Sequence, residues 1–370
     1  MSKTKVVVGM SGGVDSSVAA HLLIEQGYEV IGITMQIWEK DAPDDDSGGC
    51  CGLSAVDDAR RVCQKLGIPH YVVNFRGDFE KHVIDYFLEE YIEGRTPNPC
   101  IACNRYVKWE SMLQKALQLG AKYIATGHYA RVHQDETTGR YTLGQSATLA
   151  KDQTYALYNL TQYQLQHTLM PLGDYTKDQI RDIAMDIGLA VATKPDSQEI
   201  CFVPDDDYAK YITDHTNIKS ELGNFIDLSG NVIGQHKGII HYTIGQRKGL
   251  GIQAAKPLYV IRINPETNEV VVGDNEDVFE DKVYVNNLNF MPFETLDSEM
   301  TLAGKIRYSQ KAAPCTIKMV APDTMLCTFH QPQRAITPGQ ALVLYDGETV
   351  VGGGTIVGTP GTVNDFIGLG

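Results

Sequence analysis

The sequence predicts an α/β protein in three parts: a parallel-sheet N-terminal domain, a small central domain and a C-terminal β-barrel. Three features carry this expectation. Apolar β-branched runs alternate with helical patterns up to about residue 204, as in right-handed βαβ units. The first of these runs stops at a small-residue turn that opens at once into a helical pattern. Beyond Tyr208, glycines and β-branched residues rise, and short strands separated by turn residues continue to the C-terminus. The expected boundaries lie near Asp205 and Asp281, giving domains 1–205, 206–280 and 281–370.

Taken in order, Lys5-Val6-Val7-Val8 reads as a strand and residues 18–26 as the helix behind the turn. Residues 28–37, 71–75 and 123–126 read as further strands. Residues 55–66, closed by Gly67, and residues 78–92 read as helices, as do residues 108–119, ended by Gly120. Thr176-Lys177-Asp178-Gln179 has the spacing of a capping box, which predicts a helix over 177–187 with Gly188 at its end. Residues 258–263 and 270–272 flank Asn264-Pro265-Glu266-Thr267-Asn268 as a hairpin, and from Val283 the strands of a small barrel follow. In such a parallel sheet the ligand crevice lies at the carboxyl ends of the strands.

With 370 residues and 43% hydrophobic content the chain can bury a sizeable core. No apolar run is long enough to span a bilayer and no charged-then-apolar leader opens the sequence, so a cytoplasmic protein without a membrane partner is expected. The net charge of −14 argues at first against nucleic acid, but its distribution is uneven. Residues 228–264 hold Lys237, Arg247, Lys248, Lys256 and Arg262 with no acidic residue. Residues 305–334 set Lys305, Arg307, Lys311, Lys318 and Arg334 against Asp323 alone. Acid collects elsewhere, in Asp44-Asp45-Asp46 and Asp205-Asp206-Asp207. An acidic body with two basic tracts is compatible with gripping a phosphate backbone, and equally with ordinary surface variation.

The turn after the first strand, Gly9-Met10-Ser11-Gly12-Gly13-Val14-Asp15-Ser16-Ser17, is built for an anion. Gly12 and Gly13 let the backbone approach closely, and the hydroxyls of Ser11, Ser16 and Ser17 add donors at a helix N-terminus. Asp15 is expected to cap that helix and to help hold a divalent ion. No Lys follows the glycines as a Walker loop requires, and G-x-G-x-x-G is absent. The run S-G-G-V-D-S resembles the PP-loop of ATP pyrophosphatases, in which ATP adenylates an oxygen and pyrophosphate leaves.

Eight cysteines in a reducing compartment point to buried thiols, ligands or catalysts rather than a disulfide framework. Cys63, Cys315 and Cys327 read as small buried hydrophobes, and Cys50-Cys51 as part of an acidic loop open to surface or secondary metal contact. Cys103 follows Pro97-Asn98-Pro99-Cys100, where two prolines and an asparagine exclude a regular helix before Cys100 and favour an exposed turn, and Arg105 and Lys108 nearby favour its thiolate. Cys201 lies in a second irregular stretch, Asp196-Ser197-Gln198-Glu199-Ile200-Cys201-Phe202. Cys100-x-x-Cys103 has no second C-x-x-C to complete a structural zinc site, while Cys100, Cys103 and Cys201 together could hold an iron–sulfur cluster.

S-G-G-V-D-S-S, N-P-x-x-x-C-N, A-T-G-H-Y, K-D-Q-[ST]-Y, D-S-x-x-I-C-F and T-I-G-Q-R-K-G-L follow one another along the chain. Together they resemble the tRNA-specific 2-thiouridylase family over essentially the whole length. The resemblance implies a PP-loop domain (adenine nucleotide alpha hydrolase-like), a small central domain and a C-terminal β-barrel. It implies that Gly9, Met10, Ser11, Gly12, Gly13, Val14, Asp15 and Ser16 bind ATP, supplied with Mg²⁺, and that Met35 and Gly127 line the adenine pocket. Cys201 would carry a persulfide and Cys103 would be its partner thiol, able to form a transient disulfide with it. Asn98, Pro99 and Cys100 would meet the target base. His128, Lys151, Asp152, Gln153, Arg307, Tyr308 and Gln340 would contact tRNA.

The implied reaction is ATP-dependent 2-thiolation of a wobble uridine: adenylation of the uracil oxygen, then sulfur transfer from a persulfide. The sulfur would reach Cys201 from a cysteine desulfurase or a sulfur-relay protein. Three other readings compete. A PP-loop synthetase that aminates a small metabolite predicts no role for Cys103 or Cys201. A non-catalytic RNA-binding protein predicts tRNA binding without pyrophosphate release. Iron–sulfur-dependent thiolation replaces the persulfide by a cluster on the three cysteines.

Overall fold

The computed structural model describes residues 3–37, 53–195, 200–203, 207–216 and 220–363. Asp44-Asp45-Asp46, Cys50-Cys51, residues 196–199 and Asp205-Asp206 lie outside the described residues. The chain divides into two compact units: Met1–Ile84 with Pro99–Asp206 and Glu348–Val350, and Asp85–Asn98 with Asp207–Gly347 and Val351–Gly370.

The first unit holds the expected parallel α/β sheet. Strands β1 (Lys5–Gly9), β2 (Glu29–Gln36), β3 (His70–Asn74) and β4 (Tyr123–Ala125) run parallel in the order β3-β2-β1-β4, with the short strand Thr168–Leu169 beyond β4. β1 lies in the interior of the sheet, which is why Val6, Val7 and Val8 are all apolar and fully buried. Helix α1 (Val14–Glu25) packs Val18, Ala19, Leu22 and Leu23 into the same core, where α2 (Leu53–Leu66) contributes Ala59, Val62 and Cys63. Burying each Val or Leu contributes about 1.5–3 kcal/mol. The Lys177–Asp186 helix opens with both halves of the expected capping box: Gln179 N–H donates to Thr176 Oγ1 and Thr176 N–H to Gln179 Oε1.

One expectation fails instructively. Residues 95–98 are irregular as expected, but Cys100 and Cys103 are not on a turn: a helix begins at Pro99–Ala102, continues as a π-helix over Cys103–Met112 and ends in Leu113–Gln118. Proline is tolerated in a first helical turn, where its missing N–H has no partner to lose. Pro97 and Pro99 therefore mark a helix start rather than exclude a helix.

The second unit carries two β structures. The central one has four strands in the order Tyr259–Asn264, Glu269–Gly273, Gly223–Ile226, Val232–His236, around Phe225, Val260, Val270 and Val272. Its first pair is the expected hairpin, antiparallel, with Asn268 at φ +51° in the turn. The other is a closed six-stranded barrel: Phe279–Phe290 pairs with Thr324–Arg334 on one side and Thr349–Gly358 on the other, which closes the ring. Alternate residues fill its interior, among them Val283, Val285, Ile317, Met325 and Phe329. Among the described residues no helix is long and apolar enough to cross a membrane.

Candidate functional site: a phosphate loop and two cysteine segments

β1 delivers its loop rigidly. Met10 N–H donates to Ile33 O at 2.8 Å, and Met10 O accepts from Thr34 Oγ1 at 2.8 Å, so Met10 is tied to β2 as it leaves the strand. Ser11 N–H donates to Ser16 Oγ at 3.2 Å, while the Ser16 and Ser17 hydroxyls donate to Gly13 O at 3.2 and 2.7 Å. Gly12 sits at φ +70°, and a Cβ there would run into the Ala55 carbonyl oxygen. Gly13 is the N-cap of α1, extended and without a side-chain cap, so no cap competes with an anion for the first-turn amides.

Asp15 is therefore not the cap. That position needs extended backbone ahead of the helix, and Gly13 occupies it, whereas Asp15 lies inside the first turn. Its carboxylate instead accepts from Lys177 Nζ at 2.8 Å on each oxygen and from the Tyr129 hydroxyl at 2.7 Å. Gly127, just past β4, approaches the same turn so closely that a Cβ would stand 2.6 Å from Ser16 N and 2.9 Å from Asp15 Cβ. Met35 is half-buried near the end of β2, in register with Val73 of β3.

Both cysteine segments pack on one helical stretch of this unit. Phe202, next to the exposed Cys201, meets the buried Phe79 edge-on at 5.6 Å between ring centroids. Three residues further along, His82 stacks at 4.7 Å on Tyr106, which belongs to the Cys103 helix. Cys103 itself is half-buried and Cys100 exposed. Lys108 donates to Asn104 Oδ1 at 2.8 Å, and Asn104 Nδ2 to Ala156 O at 2.9 Å, which fixes the turn after Cys103. Lys194, on the stem leading toward Cys201, reaches Asp58 at 2.9 Å and the Gly12 carbonyl at 3.4 Å, so that stem is moored to the phosphate loop. Among the described residues no three His, Cys, Asp or Glu side chains gather as a metal site. Cys63, Cys315 and Cys327 are buried as expected, and burial raises the Cys63 pKa to about 11.

The residues expected at tRNA have mixed surroundings. Asp152 is buried, accepting from Ser146 N–H at 3.1 Å and from the Thr154 hydroxyl at 2.6 Å; Gln153 exchanges two bonds with the Tyr129 backbone. These two brace the loop, while Lys151 beside them is half-exposed. His128 holds Thr126 Oγ1 at 2.6 Å, and desolvation, then the charge of Lys108, push its pKa well below the usual histidine value. Since the unfolded ring protonates near pH 6.5, its share of stability is present above that pH and lost as pH falls below it. His128→Gln is expected to flatten the acid limb of a stability–pH curve, measured by urea unfolding.

In the second unit, Arg307 donates to Ala335 O at 2.6 Å, and Tyr308 is exposed. Asn98 is half-exposed, and Pro99 is buried at the first turn of the helix in the other unit. Gln340 is more than a hairpin residue: its Nε2 donates to Thr96 O at 2.8 Å and Pro97 O at 3.1 Å. Gln340→Ala is expected to cost about 1–3 kcal/mol by leaving these carbonyls without their donor. Chemical denaturation checks the stability, and protease cleavage near Arg95 checks where it is lost. Sequence reading missed Lys177, Tyr129, Lys194 and Asp58, because their partners at the loop are distant in the chain.

A parallel sheet with this loop, followed by two β modules, defines a PP-loop α/β protein with appended barrels. Family models match in the same order: a tRNA methyl transferase HUP domain over residues 4–205, a tRNA methyl transferase PRC-barrel domain over 209–274 and an aminomethyltransferase beta-barrel domain over 280–356. The tRNA-specific 2-thiouridylase MnmA of Lachnoclostridium phytofermentans is 61% identical over 95% of this chain and 99% of that protein. Its counterparts in Clostridioides difficile and Acetivibrio thermocellus are each 58% identical, over 95% and 96% of this chain and 98% and 100% of theirs. The chain belongs to the tRNA-specific 2-thiouridylase family.

Proposed function

We propose that the protein is a tRNA-uridine 2-sulfurtransferase that uses ATP to activate the wobble uridine for thiolation. The observation that carries this is near full-length identity to 2-thiouridylases, joined to a phosphate loop and two cysteine segments in one unit. The test is incubation of the protein with unmodified tRNA, ATP-Mg²⁺ and a persulfide donor, followed by detection of 2-thiouridine. Pyrophosphate release without thiolated uridine, or thiolation without ATP, would overturn it.

Residues Gly9 to Ser16 cradle the ATP phosphates, and Met35 and Gly127 border the adenine. Asp15, whose carboxylate accepts from Lys177, is the loop carboxylate that would face Mg²⁺ supplied with the nucleotide, an ion that would neutralise phosphate charge. The uracil 2-oxygen attacks the α-phosphorus and pyrophosphate leaves, which turns a poor leaving group into AMP. Asn98, Pro99 and Cys100 meet the unstacked base, whose exposure from a loop costs little. The terminal sulfur of a Cys201 persulfide attacks C2, expelling AMP and leaving the base joined to Cys201 through a disulfide. Cys103 thiolate then attacks Cys201 Sγ, releasing 2-thiouridine and forming a Cys103–Cys201 disulfide that a reductant must reopen. Cys201 is exposed, as acceptance of sulfur from a donor protein requires. A cytoplasmic setting and domains 1–205, 206–280 and 281–370 belong to the same reading. His128, Lys151, Asp152, Gln153, Arg307, Tyr308 and Gln340 form or brace the tRNA surface.

Lys177 joins this scheme as a phosphate-side cation held by Asp15. Lys177→Met is expected to raise the ATP concentration for half-maximal pyrophosphate release about tenfold, the size of one charge-assisted hydrogen bond. An unchanged ATP dependence would confine Lys177 to bracing Asp15.

A further inference from the structure

The motif T-I-G-Q-R-K-G-L has no task in the reaction just described, yet its surroundings in the second unit are specific. Gly245 N–H donates to Val260 O at 2.7 Å and Val260 N–H to Gln246 O at 3.0 Å, fixing the loop against the Tyr259–Asn264 strand. Gln246 accepts from Thr243 N–H through its side chain and donates to Lys248 O, holding the turn that carries Arg247 and Lys248 outward. Gly245 has φ +84°, and a Cβ there would lie 2.6 Å from Ala335 Cβ, 3.2 Å from Arg334 Nη1 and 3.8 Å from Arg307 Nη2. The central-domain loop thus reaches two guanidinium groups contributed by the barrel.

Arg334 lies over the Tyr259 ring at 5.2 Å, and Ala335, which follows it, takes φ +55°. Backbone in that region is disfavoured for alanine, so the surrounding contacts hold this corner in place. Two residues beyond Gly245 begins a cavity of ≈ 420 Å³ lined by Arg247, Gly249, Gly251, Ile252, Lys256 and Pro257. Its size suits a nucleotide, two of its walls are backbone without Cβ, and Arg247 and Lys256 supply positive charge. Lys256 lies 3.7 Å from Asp274, an exposed pair, and among the described residues neither Arg247 nor Arg334 is in an ion pair.

We propose that this glycine-lined loop is an RNA-backbone site, in which Arg247 and Lys256 take one phosphodiester and Arg334 a neighbouring one. The inference rests on the tRNA reading above and extends it to the central domain. Phosphate recognition accounts for the stretch's lack of acid, its exposed cations and the glycines that let a phosphate approach the backbone. An RNA strand gripped here continues to Arg307 and the exposed Tyr308 ring, which offers a stacking face.

The test is fluorescence anisotropy of labelled, unmodified tRNA with the full chain between 50 and 200 mM KCl, concentrations over which phosphate contacts show as a log–log slope of about one per contact. Arg247→Ala/Lys256→Ala is expected to weaken binding several-fold and reduce the slope by about one to two, as Arg334→Gln does by about one. Lys318→Ala, exposed on a barrel strand, is the control and keeps the wild-type slope. Thermal unfolding of each variant separates lost contact from lost fold. Wild-type slope and affinity in folded Arg247→Ala/Lys256→Ala would overturn the site while leaving the tRNA reading intact. Failure of the wild-type chain to bind tRNA would overturn both.

Discussion

Cys201→Ser is expected to reduce thiolated uridine to background, at least a thousandfold below wild type, while ATP-dependent pyrophosphate release on tRNA continues. Serine keeps the shape of the loop, including the Phe202–Phe79 contact, but its oxygen carries no transferable sulfur. In the proposed scheme the chemistry divides at this residue: activation belongs to the phosphate loop, sulfur delivery to the thiols. Gel retardation by an organomercurial reads thiolated tRNA, and an enzyme-coupled assay reads pyrophosphate. Normal thiolation by Cys201→Ser would end the persulfide scheme. Cys103→Ser separates the later step, because it is expected to leave the base attached to Cys201 as a mixed disulfide, released by added thiol.

Gly12→Ala has the second largest expected effect, although it adds one methyl group. Position 12 combines φ +70° with a backbone carbonyl, that of Ala55, where the methyl would sit. Neither obstacle yields by rotating a side chain. The strain alone is about 1–3 kcal/mol, and relieving it moves the loop away from α2 and off the Lys194 contact. Pyrophosphate release is expected to fall by two orders of magnitude or more, with a lower midpoint of thermal unfolding. Ser17→Ala, which removes a hydroxyl bonded to Gly13 O, is the milder comparison. Equal rates for Gly12→Ala and wild type would mean that the loop does not need its present shape.

The features legible in the sequence are those written locally. The valines of β1, the capping box at Thr176 and the hairpin around Asn268 each place cause and effect within a few residues. The helix at Pro99 misled because a proline pattern is ambiguous: the same residues terminate a helix or begin one, and packing decides between them. Asp15 shows a second limit. Its type suggested a cap, but its partner Lys177 is 162 residues away, and no local spacing reports that pairing. Lys194 and Gly12, 182 residues apart, are hidden for the same reason. The motif order fixed which loops matter, and tertiary contacts determined what each side chain touches.

The Gln340 contacts bear on how the protein is made. Thr96 and Pro97 lead along the chain into Pro99 and Cys100, and are held by a side chain 244 and 243 residues later. During synthesis residues 4–205 are made before Gln340, so until then the 96–98 stretch has no such brace. Gln340 directly precedes the barrel strand Ala341–Asp346, so Thr96 and Pro97 gain these bonds only once that part of the chain is made. A chain cut short before Gln340 is expected to lack this fastening of the stretch that leads into Pro99 and Cys100.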